Sequence, residues 1–332
     1  MSSRRPVNSS AGCRTSMKTN NWSRNMQGLR RTTKGNGFVI TVANQKGGVG
    51  KTTVTVNLSA ALGLGGYRCL VIDLDPAAGA TKHLGVATDK YAGSLELLAG
   101  KDALEQLVVR EGMPKNVHLV PSRPQLSELD IRLSKYTDRT QILDRPIEQA
   151  RQIYDLVFLD TGPSAADITT VAAYSTAEWI LLSAFPHPLS LAGLNEALRD
   201  IADVRRHRNP HLEILGVIFS NVDGRVTRLR SQLETIVAQS LPGRCFESFI
   251  SQAVLLAELS GRGMTLFQLP GYTKMPIAHQ YLRLAAEIEH RLLNRQSFLD
   301  GKLGPVGSEP CRTPHPAQPP DLADLSTEPL VI

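Results

Sequence analysis

The chain has 332 residues, 42% of them hydrophobic and 20% charged, with a net charge of +6. That balance suits a folded core and excludes wholesale disorder, and no run of about 18 uncharged apolar residues predicts a membrane-spanning helix. The cysteines Cys13, Cys69, Cys245 and Cys311 form no CxxC pair, which excludes a disulfide framework or a zinc ribbon and suits a cytoplasmic, reducing compartment.

Charge is distributed unevenly along the chain. Residues 1–36 carry +8 without a single acid, residues 297–332 carry −3, and the stretch between them carries +1. The arm is rich in Ser, Asn, Thr and Arg, lacks apolar periodicity and reads as disordered. Its composition overlaps with an organellar transit peptide. An electrostatic tether to nucleic acid, or a start at Met17 or Met26, are the alternatives. The Pro-rich stretch after Gly301 also reads as disordered. The division is a basic arm (1–36), one domain (37–296) and a Pro-rich tail (297–332).

Within the domain, short apolar runs alternate with helical patterns. Phe38 to Ala43 reads as a buried strand, followed by a helix from Thr52 to Leu64. Further strands are predicted at Cys69–Asp73, Val117–Val120, Asp155–Asp160, Trp179–Leu182 and Ile214–Ser220. Leu191, Leu194, Leu198, Ile201 and Val204 recur at helical spacing, as do Ile277, Tyr281, Leu284, Ile288 and Leu292. Near-continuous apolar strands indicate a mostly parallel sheet covered on both faces, a doubly wound α/β domain.

The segment Asn44-Gln45-Lys46-Gly47-Gly48-Val49-Gly50-Lys51-Thr52-Thr53 lies between the first strand and the first helix, the context a phosphate-binding loop requires. Its glycines let successive N–H groups face phosphate oxygens, and the helix start adds its positive end. Lys51 would neutralise β/γ-phosphate charge, and the Thr52 hydroxyl would ligate Mg²⁺. ATP and Mg²⁺ are therefore the expected cofactors of a P-loop NTPase domain.

The loop departs from the ordinary Walker A pattern, with Gln45 in place of its first glycine and an additional lysine, Lys46. It resembles the deviant Walker A box of the ParA/MinD family of dimeric ATPases, and Asn44-Gln45 favours the ParA branch. The resemblance implies that Lys46 reaches the partner subunit's nucleotide, so that ATP links two subunits. Val71-Ile72-Asp73-Leu74-Asp75-Pro76 and Phe158-Leu159-Asp160-Thr161-Gly162-Pro163-Ser164 match two further family segments. By resemblance Asp75 positions the attacking water, while Asp73 and Asp160 support the Mg²⁺ water shell. Asn221 is a candidate for reading the adenine edge. No side chain resembles a strong general base, so slow, partner-stimulated hydrolysis is expected.

The family resemblance also implies non-specific DNA binding by the ATP dimer and release by a ParB-like or cargo-adaptor protein, at the nucleoid. Arg225, Arg228, Arg230 and Arg262 are candidate phosphate contacts, with Lys274 extending the patch. Arg205, Arg206 and Arg208 form a second cluster, equally explained by helix-dipole complementarity. The chain departs from the family at Ala77-Ala78-Gly79, Thr161-Gly162-Pro163 and Ser251-Gln252-Ala253. These departures leave the metal and phosphate ligands intact but remove a basic residue that relatives use on DNA. The alternative is a MinD-like membrane-associated ATPase anchored by the amphipathic helix Met275–Arg295. A metallocluster reductase or insertase would need subunit-bridging cysteines, and neither Cys69 nor Cys245 lies in such a motif.

Overall fold

The computed structural model describes residues 36–132, 141–164, 167–225 and 227–306. Its strands are β1 (Phe38–Ala43), β2 (Cys69–Asp73), β3 (Val117–Val120), β4 (Leu156–Asp160), β5 (Trp179–Ala184), β6 (Glu213–Val222) and β7 (Cys245–Ser251). They form one seven-stranded sheet in the order β3-β2-β4-β1-β5-β6-β7, with every neighbouring pair parallel. The helices that matter below are α1 (Lys51–Leu64), α2 (Asp144–Ile153), α3 (Ile168–Thr176), α4 (Pro188–His207), α5 (Thr227–Ser240), α6 (Val254–Gly261), α7 (Pro276–Leu293) and α8 (Arg295–Leu299).

Strand alternation divides the core between the two faces. Val39, Leu70, Ile72, Val157, Leu159, Ile180 and Leu182 pack against α2 to α5. Ile40, Val42, Val71, Leu156, Phe158, Trp179 and Leu181 pack against α1, α6 and α7. Both faces are covered, so the central strands carry almost no polar residues until their C-terminal ends. There Asp73 on β2 stands in register with Asp160 on β4, and Asp160 stands in register with Val42 on β1. Parallel strands end together, so this edge collects the polar ends of adjacent strands at the point where the chain switches direction around β1.

Two features differ from expectation. β7 is an additional edge strand: Phe246, Ser248 and Ile250 are buried while Glu247 is exposed. Its period-two pattern reflects burial on one face, unlike the continuous apolar runs of the central strands. The folded chain also continues beyond Gln296, which corrects the start of the tail. α8 buries Phe298, 5% exposed, with its ring 6.0 Å from that of Trp179 and 4.2 Å below the Arg244 guanidinium. The arm up to residue 35 and the tail from residue 307 lie outside the described residues.

α7 does not offer a membrane-facing stripe. Ile277, Tyr281, Leu284, Ile288 and Leu292 are all buried in the core between α1 and the sheet. Among the described residues no helix is long and apolar enough to cross a membrane.

Candidate functional site

The loop from Asn44 to Gly50 joins the end of β1 to α1 at the polar edge of the sheet. Gly48 and Gly50 take positive φ angles, +77° and +81°, which side chains on L-residues rarely tolerate. A Cβ at Gly47 or Gly48 would meet nothing within 4 Å, so the space in front of the loop is open. α1 begins at Lys51, one residue earlier than the periodicity predicts, with Gly50 as its N-cap. It has neither a side-chain cap nor an acid in its first turn. Its leading N–H groups and positive dipole end therefore remain available to an anion.

Side chains from neighbouring strands hold this loop from behind. Asn44 donates its amide to the Ser183 carbonyl at 2.7 Å and accepts the Lys46 N–H at 2.9 Å. The Val49 carbonyl accepts two hydroxyl protons, from Ser183 at 2.7 Å and from Ser220 at 2.6 Å. Ser183 lies one residue before the end of β5 and Ser220 near the end of β6, so the loop is fastened to both strands on one side of β1. A Cβ at Gly50 would lie 3.1 Å from the Ser220 hydroxyl, a second reason for glycine there.

On the other side of β1 the loop meets the carboxylates. Thr52 Oγ1 donates to Asp160 Oδ2 at 2.8 Å, and Thr55 Oγ1 to Asp160 Oδ1 at 3.0 Å. Lys51 is buried, with its ammonium donating to the Lys46 carbonyl at 3.4 Å. Burial pushes its pKa down, and the charges of Asp160 and Asp75 oppose that shift. Burial raises the Asp160 carboxyl against the hydrogen bonds from Thr52 and Thr55. Burial and the neighbouring Asp160 charge raise Asp73. Burial is thus the main cause for both carboxyls, and the Lys51 charge opposes it at Asp160.

Asp75 lies beyond the end of β2, in a turn closed by the Ala78 N–H donating to the Asp75 carbonyl at 2.8 Å. Its carboxylate accepts the Ala77 N–H at 2.8 Å. A Cβ at Gly162 would lie 3.6 Å from the Asp75 carboxyl carbon, so the loop after β4 begins beside this side chain. The expected constellation of Lys51, Thr52, Asp73, Asp75 and Asp160 is thus brought together. Lys46 is exposed on the open side of the loop.

The donors suit a hard cation that keeps part of its water shell. Among the described residues no group of three or more His, Cys, Asp or Glu is placed to hold a metal ion. What the site provides is a hydroxyl at Thr52 with Asp73 and Asp160 behind it. That arrangement fits Mg²⁺ bound chiefly through water and phosphate.

Further from the loop, Asn221 is exposed and left-handed, φ +54°, one residue from the Ser220 anchor. Arg225 is paired with Asp223 at 2.6 Å and largely exposed. Arg230 stacks on the Phe249 ring at 4.0 Å and pairs with Glu234 at 3.1 Å. Arg228 is exposed at the start of α5, and Arg262 and Lys274 are exposed elsewhere. α6, which Arg262 follows, packs on the short helix Gly79–His83. Arg205 pairs with Glu213 at 3.4 Å.

Sequence reasoning overlooked Thr55, Thr81, Ser183 and Ser220. A signal existed for the last two, since each is a small hydroxyl residue closing an apolar strand beside the strand that feeds the loop.

The AAA-domain family model matches residues 37–214. The chain is 36% identical over 253 residues to the chromosome-partitioning ATPase Soj of Thermus thermophilus, covering 76% of this chain and 96% of that protein. It is 31% identical over 264 residues to the chromosome partitioning protein ParA of Caulobacter vibrioides, covering 78% and 96%. Among solved structures it is similar to cobyrinic acid a,c-diamide synthase from Mycobacterium smegmatis with bound ATP analog and magnesium. The TM-score is 0.64 at 27% identity, over 82% of this chain and all of that one.

Proposed function

The chain belongs to the Soj/ParA family of partition ATPases, and we propose that it is an ATP-gated switch that segregates plasmid or chromosome DNA or positions other cargo. In this reading it dimerises when ATP is bound, holds non-specific DNA in that state, and lets go after partner-stimulated hydrolysis. The observation that carries the reading is the loop itself. Its cradle is open at Gly47 and Gly48, α1 has an uncapped N-terminus, and Lys51 and the Thr52–Asp160 pair converge beside it.

In this reading each residue has one role. The N–H groups of residues 47–53 and the Lys51 ammonium bind the phosphates and offset the charge that spreads over them during transfer. Thr52 would hold Mg²⁺, with Asp73 and Asp160 orienting its waters. Bound Mg²⁺ would add to the Lys51 charge facing the two buried carboxyls. Asp75, facing the loop after β4, orients the attacking water. Lys46, exposed at the dimer-facing side in this reading, contacts the second subunit's nucleotide. In this reading Asn221 receives the base. None of these groups is a strong general base, so the isolated protein turns over slowly, and a ParB-like or cargo-adaptor protein accelerates it.

DNA contact is assigned to Arg225 and Arg228, with Arg262 and Lys274 contributing from other elements and the basic arm adding a salt-sensitive component. Nucleoid association in the cytoplasm follows from that contact. Lys51→Ala tests the reading at its base. It should abolish binding of a fluorescent ATP analogue and ATP hydrolysis together, while unchanged nucleotide affinity would refute it.

A further inference from the structure

A pair of hydroxyl residues outside the nucleotide motifs ties the β3 edge of the sheet to the Asp73 carboxylate and to the Asp75 main-chain carbonyl. Thr81, fully buried, donates from Oγ1 to Asp73 Oδ2 at 2.7 Å and from its N–H to the same oxygen at 2.8 Å. Thr81 Oγ1 in turn accepts the Ser122 N–H at 2.8 Å. Ser122, buried in the loop after β3, donates its hydroxyl to the Asp75 carbonyl at 2.7 Å. Each hydroxyl gives its one proton to a fixed oxygen, so the chain of bonds has a single direction.

The other bonds described for Asp75 are local. Its N–H donates to Asp73 Oδ1 at 3.2 Å, its carbonyl accepts from Ala78, and its carboxylate accepts from Ala77. The Asp75 N–H bond anchors the turn to β2, and one residue earlier the Leu74 N–H donates to the Asp160 carbonyl on β4 at 2.8 Å. The Ser122 hydroxyl adds a tie from the loop after β3 at the Asp75 carbonyl itself, and no hydrogen bond described for it reaches the loop from Asn44 to Gly50.

We propose that Ser122 is a positioning residue for ATP hydrolysis: it holds the Asp75 backbone so that the carboxylate meets the attacking water, and it contributes nothing to nucleotide affinity. The inference rests on the role given to Asp75 above. Displacing a positioned group by about 1 Å costs on the order of a hundredfold in rate, whereas the phosphates are held by a loop that no hydrogen bond described for Ser122 reaches. A change confined to kcat is the signature of an interaction used only in the reaction step.

The test uses the full chain with Mg-ATP, measuring kcat and KM by phosphate release and affinity with a fluorescent ATP analogue. Ser122→Ala should lower kcat by about tenfold or more with KM and analogue affinity held within about twofold. Ser122→Thr, which keeps the hydroxyl, should recover most of the rate. A rate within about twofold of wild type for Ser122→Ala would overturn the inference. A parallel loss of rate and affinity that Ser122→Thr fails to restore would also overturn it, by marking a merely structural role. Asp75→Ala is run alongside. If it is inactive while Ser122→Ala matches wild type, the inference alone falls. If Asp75→Ala hydrolyses normally, the role of Asp75 and the inference fall together.

Discussion

Thr52 Oγ1 donates to Asp160 Oδ2 across 2.8 Å, joining the first turn of α1 to the end of β4. The threonine proton is directed at the carboxylate, which leaves the oxygen's lone pairs for a cation on the loop side. Asp160 therefore acts on the metal through Thr52 and through water. Asp160→Asn should raise the Mg²⁺ concentration at the midpoint of ATP binding by about 10–100-fold, the range for loss of a group that orients a metal's ligands, while binding in excess EDTA stays unchanged. Titrating Mg²⁺ at fixed ATP checks this. An unaltered magnesium midpoint would contradict it.

The same carboxyl gives the ligand-free protein an unusual response to pH. Burial holds Asp160 and Asp73 above their ordinary range in the folded state. Between the unfolded carboxylate pKa, about 4, and the raised folded values, the native state binds more protons than the unfolded one. Stability from this pair is therefore full at low pH and is lost as pH rises through that window. Asp160→Asn cannot ionise, and its hydroxyl partners can reorient toward an amide. It should raise the thermal midpoint of the ligand-free protein at pH 8 by more than at pH 5. Equal shifts at both pH values would show that the pair ionises without penalty.

Asp223 sets how much of the basic patch DNA would meet. Its carboxyl is pushed down to about 2 by hydrogen bonds from Arg225, so the two charges offset each other at the surface. Arg228→Ala should weaken binding to random-sequence duplex and reduce the salt slope by about one. Arg225→Ala should do less, and Asp223→Ala should strengthen binding. Fluorescence anisotropy across a salt series separates these outcomes, and a loss on Asp223→Ala would contradict charge masking by showing that Asp223 orients Arg225 instead.

Ser183 and Ser220 share one acceptor, the Val49 carbonyl. Removing one leaves that buried carbonyl satisfied by the other, so either single alanine variant should bind ATP almost normally. The double variant leaves the carbonyl unpaired, at a cost of about 1–3 kcal/mol, and should lose both nucleotide affinity and stability. Additive single effects in a double-mutant cycle would show that the two hydroxyls do not back each other up.

Most of the fold was legible because the central strands are buried on both faces and therefore read as apolar runs with nothing else to explain them. β7 escaped notice since Glu247 and Phe249 alternate with its buried residues, the mark of one-sided burial. Phe298 lies beside Gly- and Pro-rich sequence, and nothing local announces that its ring meets Trp179. In the site, Lys51, Thr52, Asp73, Asp75 and Asp160 were readable from their motifs at strand ends. The supporting hydroxyls were not, because Thr81 and Ser122 meet Asp73 and Asp75 only through folding of the sheet edge. Arg230 looked like its neighbours in sequence, yet its guanidinium is stacked on Phe249 and paired with Glu234.

In the proposed switch, nucleotide gates DNA binding by the core. The direct measurement is binding to non-specific duplex with ATP, ADP or no nucleotide, for the full chain and a chain starting at Gly35. Salt should be set at about 50 and 200 mM, where phosphate-driven affinity differs by orders of magnitude. A gated core should bind in an ATP-dependent way that survives loss of the arm. Binding that ignores nucleotide and disappears with the arm would contradict the gating.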